Sequence, residues 1–262
     1  MIPQNAMNGF DPVHTVGSQI VQVIRHHEDD VSKGEAYERA RELFEWVGIE
    51  GSRVADYPHQ FSGGMAQRAM IAMALALNPS ILLADEPTTA LDVVIQDRIL
   101  QTIQELQSEI DGSMIMITHD MSVVSEVSDR IAVMYGGRVA EIADAETIIK
   151  NPRHPYTLGL RNAFPDISKS TQELVSIPGS PPTLEDPDEG CRFAPRCPFA
   201  EERCWNEDPE AVEYEDGHVV RCHRSDEIEY LQREADKAET WLAMADDEKQ
   251  SEQSVSGGMS DD

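Results

Sequence analysis

Residues 81–92 read ILLADEPTTALD, an apolar run that stops abruptly at two carboxylates. ILLA is continuous rather than alternating, as expected of a strand buried on both faces of a parallel sheet. Asp85 and Glu86 then fall just past the strand end, where open α/β sheets present ligand-binding groups. An aspartate so placed can hold Mg²⁺, directly or through water, and the adjacent carboxylate can orient or deprotonate an attacking water. The same Asp-Glu-Pro also serves simply to cap a strand and turn the chain, and short acidic matches are common. Alone, it does not separate the two readings.

Working outward, a helical stripe of Ile95, Ile99, Ile103, Leu106 and Ile110 follows. A second buried run, MIMI at 114–117, ends at Thr118-His119, and RIAVMYGGRVAEI at 130–142 predicts two strands about a Gly136-Gly137 turn. Upstream, residues 31–47 place Ala36, Ala40, Leu43, Phe44 and Val47 on one helix face. FSGGMAQR at 61–68 puts Ser62 at the N-cap of a helix that stops at Asn78-Pro79. Two glycines behind a hydroxyl at a helix mouth suit an anion. A phosphate loop, G-x-x-x-x-G-K-S/T, is absent from the 262 residues. The alternation of helix and strand implies an α/β fold.

The length suits one large domain or two smaller ones, and 40% hydrophobic content supports a sizeable core. No apolar run approaches the roughly 18 residues a membrane span needs, and MIPQNAMNGF lacks signal-peptide character, which reads as cytoplasmic. Asp+Glu 49 against Lys+Arg 21 gives a net charge of −28, arguing against nucleic acid or anionic lipid as general partners. Acids spread along the whole chain, with lysine scarcer than arginine, point to a halophilic-type protein adapted to molar salt. From about Asn151 proline becomes frequent and periodicity fades. An acidic stretch beyond Ser225 reads as helical, and residues 251–262 as a disordered tail.

All four cysteines, Cys191, Cys197, Cys204 and Cys222, fall in this second part. Disulfides are disfavoured in the cytosol, and zinc ribbons prefer C-x-x-C pairs. An iron–sulfur cluster, an irregular zinc site and plain buried thiols all remain open on the residues alone.

FSGGMAQR resembles the signature of ATP-binding cassettes, ADEPTTALD their Walker B and D-loop, ITHD at 117–120 their switch histidine, and Gln4 in MIPQNAMN their Q-loop. The resemblance implies a P-loop-NTPase-like cassette with a partial parallel sheet and a helical subdomain. It gives Ser62, Gly63 and Gly64 to the γ-phosphate of ATP, Asp85 to Mg²⁺, Glu86 to general-base duty, His119 to the γ-phosphate, Asp92 to a dimer contact and Gln4 to sensing Mg²⁺ and the membrane partner. Outside such a context a lone histidine at a strand end is usually structural. The signature departs from the commonest form at Phe61, Met65 and Ala66. In the family each ATP lies between two subunits, so this turn serves a phosphate cradled by a second chain. Starting at the Q-loop removes the family's first strands. That implies a fragment or a late start with Met1 internal, or else a non-hydrolytic partner subunit.

NPRHPYTLGLRNAFP at 151–165, SIPGSPPTL at 176–184 and GCRFAPRCPFAEERC at 190–204 resemble the C-terminal extension of oligopeptide/dipeptide importer ATPases. The implied division is a cassette at 1–148 with its helical subdomain at about 15–78, an extension at 149–225, and an acidic helix and tail at 226–262. The implied function is ATP hydrolysis driving peptide import, with a second ATPase subunit, transmembrane permeases and, indirectly, an extracytoplasmic peptide-binding protein as partners, at the cytoplasmic membrane face. The resemblance favours a four-iron, four-sulfur cluster on the four cysteines over zinc. Arg192, Arg196 and Arg203 lie among them, placed either to offset thiolate charge or simply on a solvated loop.

Overall fold

Local signals in the sequence start the first three α-helices. Helix α1 (Val16–His27) begins where Thr15 accepts a hydrogen bond from the Ser18 N–H. Helix α2 (Lys33–Trp46) follows a capping box of Ser32 and Glu35. Helix α3 (Gly63–Leu75) starts at Ser62, whose hydroxyl accepts from the Met65 N–H. The computed structural model describes residues 1–88, 94, 96–97, 99–101, 104–105, 112–163, 177–185 and 189–243. The chain divides into two units, Met1–Val123 and Val124–Asp262.

In the first unit the helices bury one shared core that includes Ile20, Ile24, Phe44, Ile71 and Leu75. Alanines at 36, 40, 69 and 72 are fully buried, so small side chains line the facing helix surfaces. Gly17 is needed for a similar reason: a Cβ there would sit 2.5 Å from the Val54 carbonyl oxygen.

Strands β1 (Ile81–Asp85) and β2 (Ser113–Ile117) pair in parallel, from Ile81↔Ser113 to Asp85↔Ile117. Ile2 extends this pairing on the other side of β1, donating to Leu83 O at 2.7 Å and accepting from Asp85 N–H at 2.8 Å. Burial on both faces, expected from the apolar runs, is not what the structure has. Leu82 and Ala84 enter the helical core, whereas Ile81, Leu83, Ile115 and Ile117 are 61%, 43%, 56% and 60% exposed. Among the described residues, Leu82 and Ala84 with Met114 and Met116 pack on the helical core, so side-chain alternation sorts the strands into an inner and an outer row. Of the helical stripe read after β1, Ile99 is buried; Ile95, Ile103, Leu106 and Ile110 lie outside the described residues.

In the second unit β3 (Arg130–Tyr135) and β4 (Arg138–Asp144) form the expected hairpin. Gly136 and Gly137 adopt φ +56° and +77°, the left-handed pair that a two-residue hairpin turn requires. Two short strands, β5 (Val212–Glu213) and β6 (Val219–Val220), complete a sheet of order β3-β4-β6-β5. Short helix α4 (Met121–Val127) spans the division between the units, and α5 (Ala145–Lys150), α6 (Pro155–Ala163), α7 (Glu202–Asn206) and α8 (Ile228–Ala235) follow in the second, with 3-10 turns between elements. Helix α8 forms part of the acidic stretch read as helical.

Tyr135, Leu158, Phe193, Phe199, Leu231 and Trp241 form the apolar core of this unit. Beside it Glu141 on β4 is fully buried. It accepts hydrogen bonds from His218 Nε2 at 2.7 Å, Arg153 N–H at 2.6 Å and His154 N–H at 3.1 Å. Burial pushes its carboxyl upward in pKa, but the bonds from His218 and Arg153 outweigh that and hold it below the usual range.

Candidate functional site

The parallel register brings the C-terminal ends of β1 and β2 together, and with them the residues singled out by sequence. Glu86 leaves β1 at φ +49°, a left-handed conformation unusual for a side-chain-bearing residue. Its N–H donates to Ile117 O at 2.8 Å, which fixes the turn to the end of β2. The carboxylate then accepts from His119 Nδ1 at 2.7 Å, leaving the ring 78% exposed while the carboxylate is 17% exposed. The hydrogen bond and charge of Glu86 raise the His119 pKa above its ordinary 6.5. Asp85 is half-buried beside Glu86, and because Ile2 pairs with Ala84 in parallel, Gln4 emerges at this same end of the sheet.

A residue not singled out by sequence, Asp120, anchors the loop that follows His119. Its carboxylate accepts from the Ser122 N–H and hydroxyl at 2.9 and 2.5 Å and from Gln96 Nε2 at 3.3 Å, anchoring the loop to the start of α4. Burial pushes its pKa up and these bonds, outweighing it, pull it down. The aspartate-before-helix pattern of HDMS was the available signal.

The Ser62–Gly64 turn rests on a different support. Phe61, just before it, packs edge-on against Phe44 of α2 with centroids 6.1 Å apart, and the Arg53 guanidinium lies 5.4 Å from the Phe61 ring. Arg68, one turn into α3, donates from Nη1 to Val47 O at 3.2 Å and Gly48 O at 2.5 Å, and from Nε to Gly64 O at 3.4 Å. This arginine caps the C-terminus of α2, where a cation is favoured, while gripping the first turn of α3. Ser62 and Gly63 are exposed. A Cβ at Gly63 would meet nothing within 4 Å, so the space above the turn is open. Asp92 lies outside the described residues.

In the second unit the four cysteines carry free thiols. All four line one cavity of about 10 Å³, together with Phe193 and Phe199 among others. Cys191 N–H donates to Cys204 O at 2.8 Å, and Gly190 packs so closely that a Cβ would sit 2.5 Å from that carbonyl. Backbone N–H groups of Glu201 and Arg224 point at the sulfurs of Cys204 and Cys222, each at 3.4 Å. Burial raises the Cys191 thiol, pushes Cys197 well above the ordinary range and moves Cys222 up to about 12. Among the described residues no group of three or more His, Cys, Asp or Glu stands at metal-holding separation. The four sulfurs share one cavity and amide N–H groups address two of them, as around thiolate ligands, but the sulfurs do not stand at the separations of a formed metal site. In size the cavity matches a single ion or water rather than a cubane. The arginines of this loop bind carbonyls: Arg192 that of Gly136, Arg196 those of Pro178 and Ile177 at 2.6 and 3.1 Å, and Arg203 that of His223 at 2.7 Å.

No helix among the described residues is long and apolar enough to cross a membrane. The ABC transporter family profile matches residues 1–89, and that of the oligopeptide/dipeptide transporter C-terminal region matches residues 140–204. The chain is 46% identical over 224 residues to the oligopeptide transport ATP-binding protein AppD of Bacillus subtilis (strain 168), covering 85% of this chain and 68% of that protein. It is 45% identical over 225 residues to the dipeptide transport ATP-binding protein DppD of Escherichia coli (strain K12), with the same coverages of 85% and 68%. Among solved structures, the dimeric post-hydrolysis state of the ATP-binding cassette MJ0796 bound to ADP and Pi superposes with TM-score 0.51 at 30% identity, over 55% of this chain and 61% of that one. The similarity thus runs through both units of the chain, which belongs to the ABC-type ATPase family, in its oligopeptide and dipeptide importer branch.

Proposed function

We propose that this chain couples ATP hydrolysis to the uptake of oligopeptides or dipeptides, working as one of two cassette subunits on a transmembrane permease at the cytoplasmic membrane face. An extracytoplasmic peptide-binding protein would deliver the cargo. The observation that carries the reading is the 2.7 Å bond between His119 and Glu86 at the joined ends of two parallel strands. Glu86 orients and deprotonates the attacking water, and His119, steered through Nδ1, turns its exposed edge to the γ-phosphate. Asp85 and Gln4 would hold Mg²⁺, which when bound neutralises phosphate charge. The Ser62 hydroxyl and the Gly63 and Gly64 N–H groups donate to the triphosphate of the second subunit, and Asp92 contributes to the dimer contact.

The test is ATP binding and phosphate release by the 262-residue chain, alone and mixed with its neighbouring cassette subunit in molar KCl. The chain alone should bind ATP weakly and the mixture should turn over; micromolar affinity with normal turnover by the chain alone would overturn the reading. A second reading, a non-hydrolytic partner, uses the same open signature turn without the Glu86 chemistry. In that case Ser62→Arg abolishes turnover of the mixture while Glu86→Gln leaves it intact.

For the four thiols we propose a metal centre: resemblance to relatives favours a four-iron, four-sulfur cluster, whereas the small cavity favours the other outcome, a single zinc ion. Anaerobic purification should give a brown protein absorbing near 400 nm; a colourless sample with stoichiometric zinc decides for zinc.

A further inference from the structure

We infer that a cavity in the second unit, separate from the thiol site, takes a small zwitterion: a free amino acid or a short peptide with both termini charged. The cavity is about 330 Å³, within the range of ligand pockets. It is walled by the end of β4, the segment after α5, the 3-10 turn Glu215–Gly217 with the residue after it, and the first turns of α8. These segments bring both signs of charge to one space: Asp144 and Glu215 are acidic, Arg153 is cationic, and Asn151 and Gln232 offer amides.

Several of these groups are already held in place. Asp144 accepts from the Thr147 N–H and hydroxyl at 2.9 and 2.8 Å. The Arg153 guanidinium stacks 4.0 Å from the Tyr214 ring centroid and donates to Ser225 O at 3.1 Å. Gln232 Nε2 donates to Pro152 O at 3.3 Å, and His218 is tied to buried Glu141. Groups fixed before binding lose little freedom on binding.

The charge pattern selects the ligand class. A simple anion would meet two carboxylates, and a simple cation would leave Arg153 facing a like charge. A molecule with an ammonium at one end and a carboxylate at the other answers both. This inference does not rest on the transport reading, and its test uses neither nucleotide nor partner, so either can fail alone.

The experiment is calorimetric titration of the full chain with trialanine, N-acetyl-trialanine amide and 1,5-diaminopentane. Trialanine should give saturable one-to-one heat, with the blocked peptide at least tenfold weaker. Glu215→Lys, at an exposed position, should weaken trialanine tenfold or more with an unchanged melting temperature. Arg153→Gln should do the same, with circular dichroism reporting its fold; Glu215→Gln serves as the milder variant if it does not fold. Absence of saturable heat, equal binding of the blocked peptide, diamine binding as tight as trialanine, or full affinity in Glu215→Lys would each overturn the inference.

Discussion

Glu86 combines two properties that pull against each other: its carboxylate is bonded to His119, and its backbone sits at φ +49°. A left-handed conformation costs a side-chain-bearing residue about 1–2 kcal/mol. Both Glu86→Gly and Glu86→Ala lose the bond to His119 and only glycine relieves the backbone, so the glycine variant should melt above the alanine one while phosphate release by the mixed subunits falls 10²-fold or more in either, about the worth of a general base. Glu86→Gln should show the same loss of turnover. The comparison separates strain from chemistry, and a glycine variant melting below the alanine variant would contradict the strain. His119 provides a pH counterpart. Its folded pKa is raised, so the pair stabilises the protein fully below the ordinary value of 6.5, and that contribution fades as pH rises through the folded value. An NMR titration of His119 should show its pKa fall in Glu86→Gln. The two acids were legible in the sequence because an apolar run ends on them. The positive φ was not, since it comes from the bond between the Glu86 N–H and Ile117 O, 31 residues away in sequence.

Elements that support the sites are held by polar side chains as much as by apolar faces. Arg68 ties the end of α2 to the start of α3 through three carbonyl contacts. Arg68→Ala should cost about 1–2 kcal/mol in urea unfolding, the usual worth of partly exposed hydrogen bonds to a charged group, with Arg68→Lys recovering part of it. In the second unit Glu141 binds β4 to the 153–154 backbone and to His218. Glu141→Ala should cost about 3–5 kcal/mol, as when one partner of a buried pair is removed. Because its folded pKa is depressed, its stabilisation is present above the ordinary value of 4.5 and lost as pH falls through the folded value. Acid unfolding of the wild type should be steeper there than that of the variant. Helices α2 and α3 and the glycine-turned hairpin were readable from caps and apolar spacing, whereas α1 was not singled out. The Glu141 cluster was not, because its partner His218 lies 77 residues away. The two-residue strands β5 and β6 are too short to show a period.

At the scale of the whole chain, a net charge of −28 opposes compaction wherever salt does not screen it. Stability in urea should rise between low and molar KCl, and a flat response would remove the case for salt adaptation. The outer row of Ile81, Leu83, Ile115 and Ile117 gives that trend an upper limit. Concentrated salt removes the mutual repulsion of copies and at the same time strengthens apolar attraction. Stock solutions should therefore pass through a solubility optimum, with light scattering climbing again at the highest ionic strengths as bare aliphatic surfaces begin to adhere.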